Sequence, residues 1–354
     1  MIPIYKPYMP EGLQPELEQI LYSGSLAFGT YGHLFEDALK RFLGNEYLLS
    51  TSSYNTAMLM VLSVLGLQAG DEVLASPVSC LASNQPFAVK GIKVVWVDVD
   101  PATGTMDIAD LKSKISSQTK AIFHNHFCGY VGDTKAINAI GKEYGIPVVD
   151  DAIEAFGSKA GNEYIGNSGA DITVFSFQTV RLPNTIDGGA ITFNNKDLFD
   201  KARLIRDYGI DRSKFRNPTG EISADCDIEL EGYAGLPSEI NSFIGYRQMD
   251  TLPLLLQKQA QNAENWDQIL YDTFGTHPLS SLSGNTPNYW VYGTLVDGPD
   301  KQEAILKYRN AGYYATGVHI NNNVYSVFGK PYVALKGVTE FMERYVAIPC
   351  GWWL

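Results

Sequence analysis

Between about Asn45 and Asn194 short apolar runs alternate with stretches of helical period. The runs GDEVLAS, IKVVWVDVD, TKAIFHNH, IPVVDDA, DITVFSF and GGAITF read as strands, because short Val/Ile-rich runs fit a strand buried on both faces. NTAMLMVLSVLGL and TKAINAIGKEYG predict helices, the second closed by Gly145, a residue free to take the left-handed cap conformation. This alternation predicts an α/β fold: a mostly parallel sheet with helices on both faces. In such sheets the ligand crevice lies beyond the carboxyl ends of the strands. Asp151 after IPVV, His126 after AIF and Ser176 after TVF are expected there.

The pattern changes after about Gly245. LPLLLQKQAQNAENWDQIL predicts a long connecting helix, followed by NYWVYGTLV and a last α/β segment. The expected organisation is an N-terminal arm over 1–30, a large α/β domain over 31–245 and a small C-terminal domain over 246–354. The chain stops at IPCGWWL, where a further helix is expected, so a truncated end belongs to this reading.

Composition narrows the function classes. With 354 residues, 45% hydrophobic and 19% charged, the chain can bury a large core and is not disordered. Lys+Arg 27 against Asp+Glu 39 gives a net charge of -12 with no basic run, which excludes nucleic acid as a partner. Small anions need only a local set of donors and stay open. Cys80, Cys128, Cys226 and Cys350 are far apart with no C-x-x-C, so neither a disulfide scaffold nor a metal site is expected. The longest apolar stretch, Thr56 to Leu67, is too short to span a bilayer, and residues 1–10 lack a signal-peptide core. The reading is a cytoplasmic chain with no membrane partner.

Each candidate residue has an ordinary alternative. Asp151 can hold a protonated ring nitrogen or cap a following helical turn. Ser52, Ser53 and Thr56 precede an apolar helix and can bind phosphate at its N-terminus or merely cap it. Ser176 can add a phosphate donor or end a strand. His126 can stack on a flat ring, move protons or sit in the core. Tyr5, Tyr8, Tyr31 and the Gly24–Gly32 stretch form an aromatic arm that can wrap a partner or ligand, or pack on its own domain.

Taken in order, GDEV, SPVSCLASN, KVVWVDVDPATGTMD, NHFCGY, IPVVDDAIEAFG, DITVFSFQTV, DGGAI, RDYGIDR, EINSFIG and IPCGWWL resemble the DegT/DnrJ/EryC1/StrS family of sugar aminotransferases along nearly the whole chain. The resemblance implies the aspartate-aminotransferase (fold type I) architecture: a mostly parallel sheet of seven-stranded type with helices on both faces, plus a smaller C-terminal α/β domain. It also implies a homodimer with active sites between subunits and pyridoxal or pyridoxamine phosphate as cofactor. The usual substrate is a nucleotide-linked keto-sugar aminated with glutamate. Asp151 matches the residue that pairs with the pyridine nitrogen. Asn55 and Thr56 match the Gly-Thr that holds the cofactor phosphate, and Ser176 matches a further phosphate ligand. Cys80 falls where many members place an aromatic over the ring, and where one branch carries Cys.

Three positions depart from that pattern. The family reads FSF-(H/Q)-x-x-K, with the lysine forming the Schiff base; here Phe175-Ser176-Phe177-Gln178-Thr179-Val180 leads to Arg181. A guanidinium stays protonated and offers no amine for covalent catalysis. Glu154 stands where Gln or His is expected. Ala234 follows Gly232-Tyr233 where the family places a phosphate donor reaching the neighbouring subunit. The expected function is therefore a divergent member of amino- or deoxy-sugar (surface polysaccharide) metabolism that is not a conventional transaminase. It would be a pseudoenzyme or partner subunit that binds a nucleotide-linked sugar, as a homodimer or as a heterodimer with an active paralogue. One alternative is a sugar-modifying enzyme holding the cofactor non-covalently, with Arg181 as an anchor and His126 or Glu154 handling protons. Another is an ordinary transaminase carrying a Lys-to-Arg change at 181. Any pyridoxal or pyridoxamine phosphate would be non-covalent, and the absence of a cofactor stays open.

Overall fold

In the computed structural model, which describes residues 1–298, 300–330 and 332–354, the alternating runs become one twisted sheet. Its early strands are β1 (Leu48–Thr51), β2 (Glu72–Ala75), β3 (Lys93–Trp96), β4 (Thr119–Asn125) and β5 (Val148–Ala152). A two-residue ribbon, β6 (Lys159–Ala160) with β7 (Glu163–Tyr164), precedes β8 (Ile172–Ser176) and β9 (Gly189–Phe193). The seven strands of the large sheet run in the order β1-β9-β8-β5-β4-β2-β3. β2, β3, β4, β5 and β8 are parallel to their neighbours among themselves, and β9 runs antiparallel to both β8 and β1. All six expected strands form. β1 was not foreseen, because Ser50 and Thr51 break its apolar run although all four of its residues are buried.

The two-residue period of the strands sorts side chains between two helical layers. Val73, Phe123, Val149 and Val174 pack with the helix Tyr54–Val64 on one face. Leu74, Ile122 and Val148 pack with Ile137 and Ile140 of the helix Thr134–Tyr144 on the other. The first helix is mostly apolar and mostly buried, with Ser53 capping it: the Ser53 hydroxyl accepts from the Thr56 N–H at 3.0 Å. Gly145 closes the second in the left-handed conformation, as its sequence predicts.

The C-terminal part builds a separate antiparallel sheet from β10 (Thr276–Pro278), β11 (Tyr292–Val296) and β12 (Tyr345–Ile348). The long helix Leu252–Phe274 leads into it and is fastened by Trp266, whose indole N–H donates to the Pro349 carbonyl at 2.8 Å. The N-terminal arm packs on its own chain. Ile2 bridges to Tyr313, Tyr5 stacks on Trp290 at 4.6 Å between centroids, and the Asn184 amide donates to the Tyr8 carbonyl at 2.9 Å. Among the described residues no helix is long and apolar enough to cross a membrane.

Candidate cofactor and ligand site

The same period-two rule separates two neighbouring acids on β5. Asp150 follows Val148 onto one face, and Asp151 follows Val149 onto the other. Both are fully or almost fully buried.

On the Asp150 face lie His124 and His126. His124 Nδ1 is 3.0 Å and His126 Nε2 3.4 Å from the carboxylate. The Gly132 N–H donates to His126 Nδ1 at 3.3 Å, which leaves the proton of a neutral ring on Nε2, aimed at Asp150. The two imidazoles hold the Asp150 carboxyl far below the ordinary range against the upward push of burial. These three residues lie close enough to ligate an ion, but the donor facing His126 Nδ1 is the reverse of what a metal-bound imidazole needs on its second nitrogen. The structure thus turns His126 away from the Asp151 side and into a buried imidazole–carboxylate network.

On the Asp151 face the carboxylate accepts from the Tyr54 hydroxyl at 2.6 Å, the Asn125 amide at 2.6 Å and the Ile153 N–H at 3.2 Å. Burial still pushes this carboxyl upward. Tyr54 opens the helix that also carries Asn55, which is exposed, and Thr56, half-buried against Ser53. Asp151 is therefore tied directly to the helix start expected to hold phosphate. Ser176 ends β8, where its hydroxyl accepts from the Gln178 N–H at 3.4 Å.

Arg181 and Glu154 come together. Arg181 Nη2 lies 3.5 Å from Glu154 Oε1, with both side chains buried. The guanidinium also stacks on Trp290, 4.2 Å from the ring centroid. Glu154 accepts further hydrogen bonds from the Cys128 N–H at 2.8 Å and from His319 Nε2 at 2.7 Å. Burial alone would push Glu154 up; His319 first, then Arg181 and the Cys128 N–H, hold it below the ordinary carboxylate range. Cys80 sits nearby, half-buried, its thiol pushed up to about 11 by burial and by Glu154. Arg181 Nε and Nη1 have no hydrogen-bond partner among the described residues. Beside them Glu154, Ser176, Gln259, Asn288 and Trp290 enclose a cavity of about 10 Å³, room for about one water.

Against pyridoxal or pyridoxamine phosphate, these residues fit at one end and fail at the other. A buried carboxylate at Asp151 suits a protonated ring nitrogen, and hydroxyls at Ser53, Thr56 and Ser176 suit a phosphate near a helix N-terminus. Among the described residues no lysine lines the cavity at Arg181, so a covalent link there has no nucleophile. Ala234 lies on its own chain beside Ser52, whose hydroxyl donates to the Ala234 carbonyl at 3.4 Å. The sequence reading missed Tyr54, Trp290 and His319. Tyr54 lies just before the predicted helix, Trp290 falls inside NYWVYGTLV without a role, and His319, in TGVHI, stands in no pattern that marks it.

The model of the DegT/DnrJ/EryC1/StrS aminotransferase family matches residues 7–352. The fold is similar to that of the sugar aminotransferase CalS13 from Micromonospora echinospora, at 29% identity and a TM-score of 0.92, covering 100% of this chain and 96% of that one. AtS13 from Actinomadura melliaura is similar at 30% identity and a TM-score of 0.91, covering 100% and 95%. The aminotransferase TlmJ from Streptoalloteichus hindustanus follows at 25% and 0.90, covering 100% and 94%. With the seven-stranded sheet and the match over nearly its whole length, the chain belongs to the DegT/DnrJ/EryC1/StrS aminotransferase family of amino-sugar biosynthesis.

Proposed function

We propose that this chain is a divergent member acting in amino- or deoxy-sugar metabolism that has given up transamination through a lysine. In this reading it binds a nucleotide-linked sugar as a pseudoenzyme or as the partner subunit of an active paralogue. One observation carries it: two of its departures from the family pattern, Arg181 and Glu154, are each other's ion partner. A lone Lys-to-Arg change would leave a cation without a dedicated counter-charge. A matched buried pair, stacked on Trp290 and shared with His319, reads as a site rebuilt for a permanent charge.

The test is absorbance after incubation with pyridoxal phosphate, borohydride reduction and dialysis, on the natural chain and on Arg181→Lys. The expected result, read by peptide mapping, is no covalently retained cofactor at position 181 in either. Glu154 would hold the new ammonium charged, and a charged ammonium is not a nucleophile. A glutamate-dependent spectral change in Arg181→Lys alone, read on a portion left unreduced, would overturn the proposal in favour of an ordinary transaminase with one altered residue.

The 2.7 Å contact of His319 with Glu154 favours a second reading, a sugar-modifying enzyme using non-covalent pyridoxamine phosphate. A carboxylate-oriented imidazole is a group that can move protons. Turnover of nucleotide-linked 4-keto-sugars with added pyridoxamine phosphate decides between the two readings, and product formation establishes the second.

A further inference from the structure

Residues 1–12 cross the molecule as an irregular arm that is held almost without a backbone ladder. At its start the Ile2 N–H donates to the Gly312 carbonyl at 2.7 Å, and the Ile2 carbonyl accepts from the Tyr314 N–H at 2.9 Å. Beyond that, the Pro3 carbonyl accepts from the Trp353 indole at 3.2 Å and the Tyr8 carbonyl from the Asn184 amide at 2.9 Å. Among the described residues no backbone N–H from Ile4 to Gly12 is donated to a protein acceptor, and Pro3, Pro7 and Pro10 have none to give. Segments with few backbone hydrogen bonds of their own are the ones that open first.

What the arm covers is the Arg181 end of the site. Ile4 is buried in one apolar cluster with Phe127, Cys128 and Trp290, against which Tyr5 and Val180 also pack. The Tyr5 ring stacks on Trp290, the same ring that carries the Arg181 guanidinium. The phenol is turned inward: burial raises its pKa, Cys128, Glu154 and Cys80 raise it further, and Arg181 opposes them. Trp290 has its own ties. Its indole N–H donates to the Val180 carbonyl at 2.8 Å and its backbone N–H to Asn288 Oδ1 at 2.9 Å. Asn288 is fixed in turn by Ser158 and by the Glu154 and Phe156 carbonyls. The wall of the site is therefore cross-tied, while its cover hangs mainly on Ile2 and on the side chains of Ile4 and Tyr5.

We propose that residues 1–12 are a releasable strap: with Tyr5 on Trp290 it closes the approach to Cys80, Glu154 and Arg181, and lifting it opens that approach. The contact is autoinhibitory, because a ligand that reaches the Arg181 end must first displace Tyr5. A ligand that binds the lifted form alone draws the strap open by its differential affinity. The inference holds whatever ligand the site takes.

The four free cysteines supply the test, by reaction of the full chain with iodoacetamide at mildly alkaline pH and peptide mapping of each thiol. Cys80 and Cys128 are the two thiols whose charges act on Tyr5. Cys350 is buried in a separate cluster of the C-terminal sheet, and Cys226 is partly exposed. Tyr5→Ala removes the plug, and Ile2→Pro removes the Ile2 N–H bond at the far end of the arm. Each is expected to speed labelling of Cys80 and Cys128 by about tenfold or more, with Cys350 and Cys226 unchanged. Should Tyr5→Ala not fold, Ile2→Pro decides by the same readout. Natural-chain rates at Cys80 and Cys128 in the variants would overturn the strap. So would a rise at Cys350 in step with them, which reports opening of the whole C-terminal part, or a rise in folded Tyr5→Ala without one in Ile2→Pro, which makes Tyr5 a local packing residue.

Discussion

The Asp151 end and the Arg181 end of the candidate site are built from the same strand ends, yet their chemistry differs. At Asp151 the residue types that suit a cofactor's ring nitrogen and phosphate persist: Asp151, Thr56 and Ser176, with Tyr54 and Asn125 holding the carboxylate. At Arg181 a buried ion pair lies on an indole ring, with a guanidinium that offers no nucleophile. The difference is also electrostatic. Burial wins over hydrogen bonding at Asp151 and pushes it up, whereas cationic partners win over burial at Glu154 and hold it down. A site that had merely decayed would leave Glu154 without compensation, and a buried uncompensated carboxylate is strongly destabilising. The charges at the Arg181 end answer one another.

The largest break in this comparison should come from Arg181→Ala. Removing the guanidinium strands Glu154 with only His319 and the Cys128 N–H, and it empties the face of Trp290. A loss of about 3 kcal/mol in unfolding free energy is expected by denaturant titration. Arg181→Ala with Glu154→Gln should recover more than half of that loss, since the stranded charge is then gone. Equal losses in the single and double variants would show that Arg181 acts by packing alone.

A smaller effect is expected from Tyr54→Phe at the retained end. It deletes the 2.6 Å hydrogen bond to a fully buried carboxylate without opening a cavity. About 2 kcal/mol should be lost, the usual worth of a hydrogen bond to a charged group. A loss under about 0.5 kcal/mol would mean that Asp151 does not need the phenol, and Tyr54 would then be a core residue only.

How much of this was legible follows from what kind of pattern each feature leaves. The six strands read from apolar runs and the capped helix ending at Gly145 are local, periodic signals, and they form as expected. β1 is four residues long with two hydroxyls, so its burial comes from tertiary pairing with β9 that no local pattern records. Asp151, Ser176 and Thr56 stood out as strand ends and a helix start. His126 did so for the same reason, but alternation along the strand sent its partner Asp150 to the opposite face. The Arg181–Glu154 contact spans 27 positions and the His319–Glu154 contact 165. Only the folded chain brings them together, so the sequence could show each departure singly but not that they answer one another.

The smallest and most diagnostic effect lies in the pH dependence of stability, where the two ends should have opposite signs. Glu154 is held below its unfolded value, so its contribution is fully present above the ordinary glutamate pKa of about 4.3 and fades as pH falls through its folded value. Asp151 is raised, so its contribution is present below the ordinary aspartate pKa of about 3.9 and is lost as pH rises through its folded value. Glu154→Gln should therefore flatten the acid limb of the stability curve, losing less between pH 5 and pH 3 than the natural chain. Asp151→Asn should lose more over that window than the natural chain, because the carboxyl that gains on acidification is no longer there. Both shifts are expected to be a fraction of the two losses above, read as unfolding free energies from denaturant titrations at each pH. If both substitutions moved the acid limb the same way, the opposition between the ends would be an artefact of separate burial, and the charge matching of Arg181 with Glu154 would have no consequence for folding.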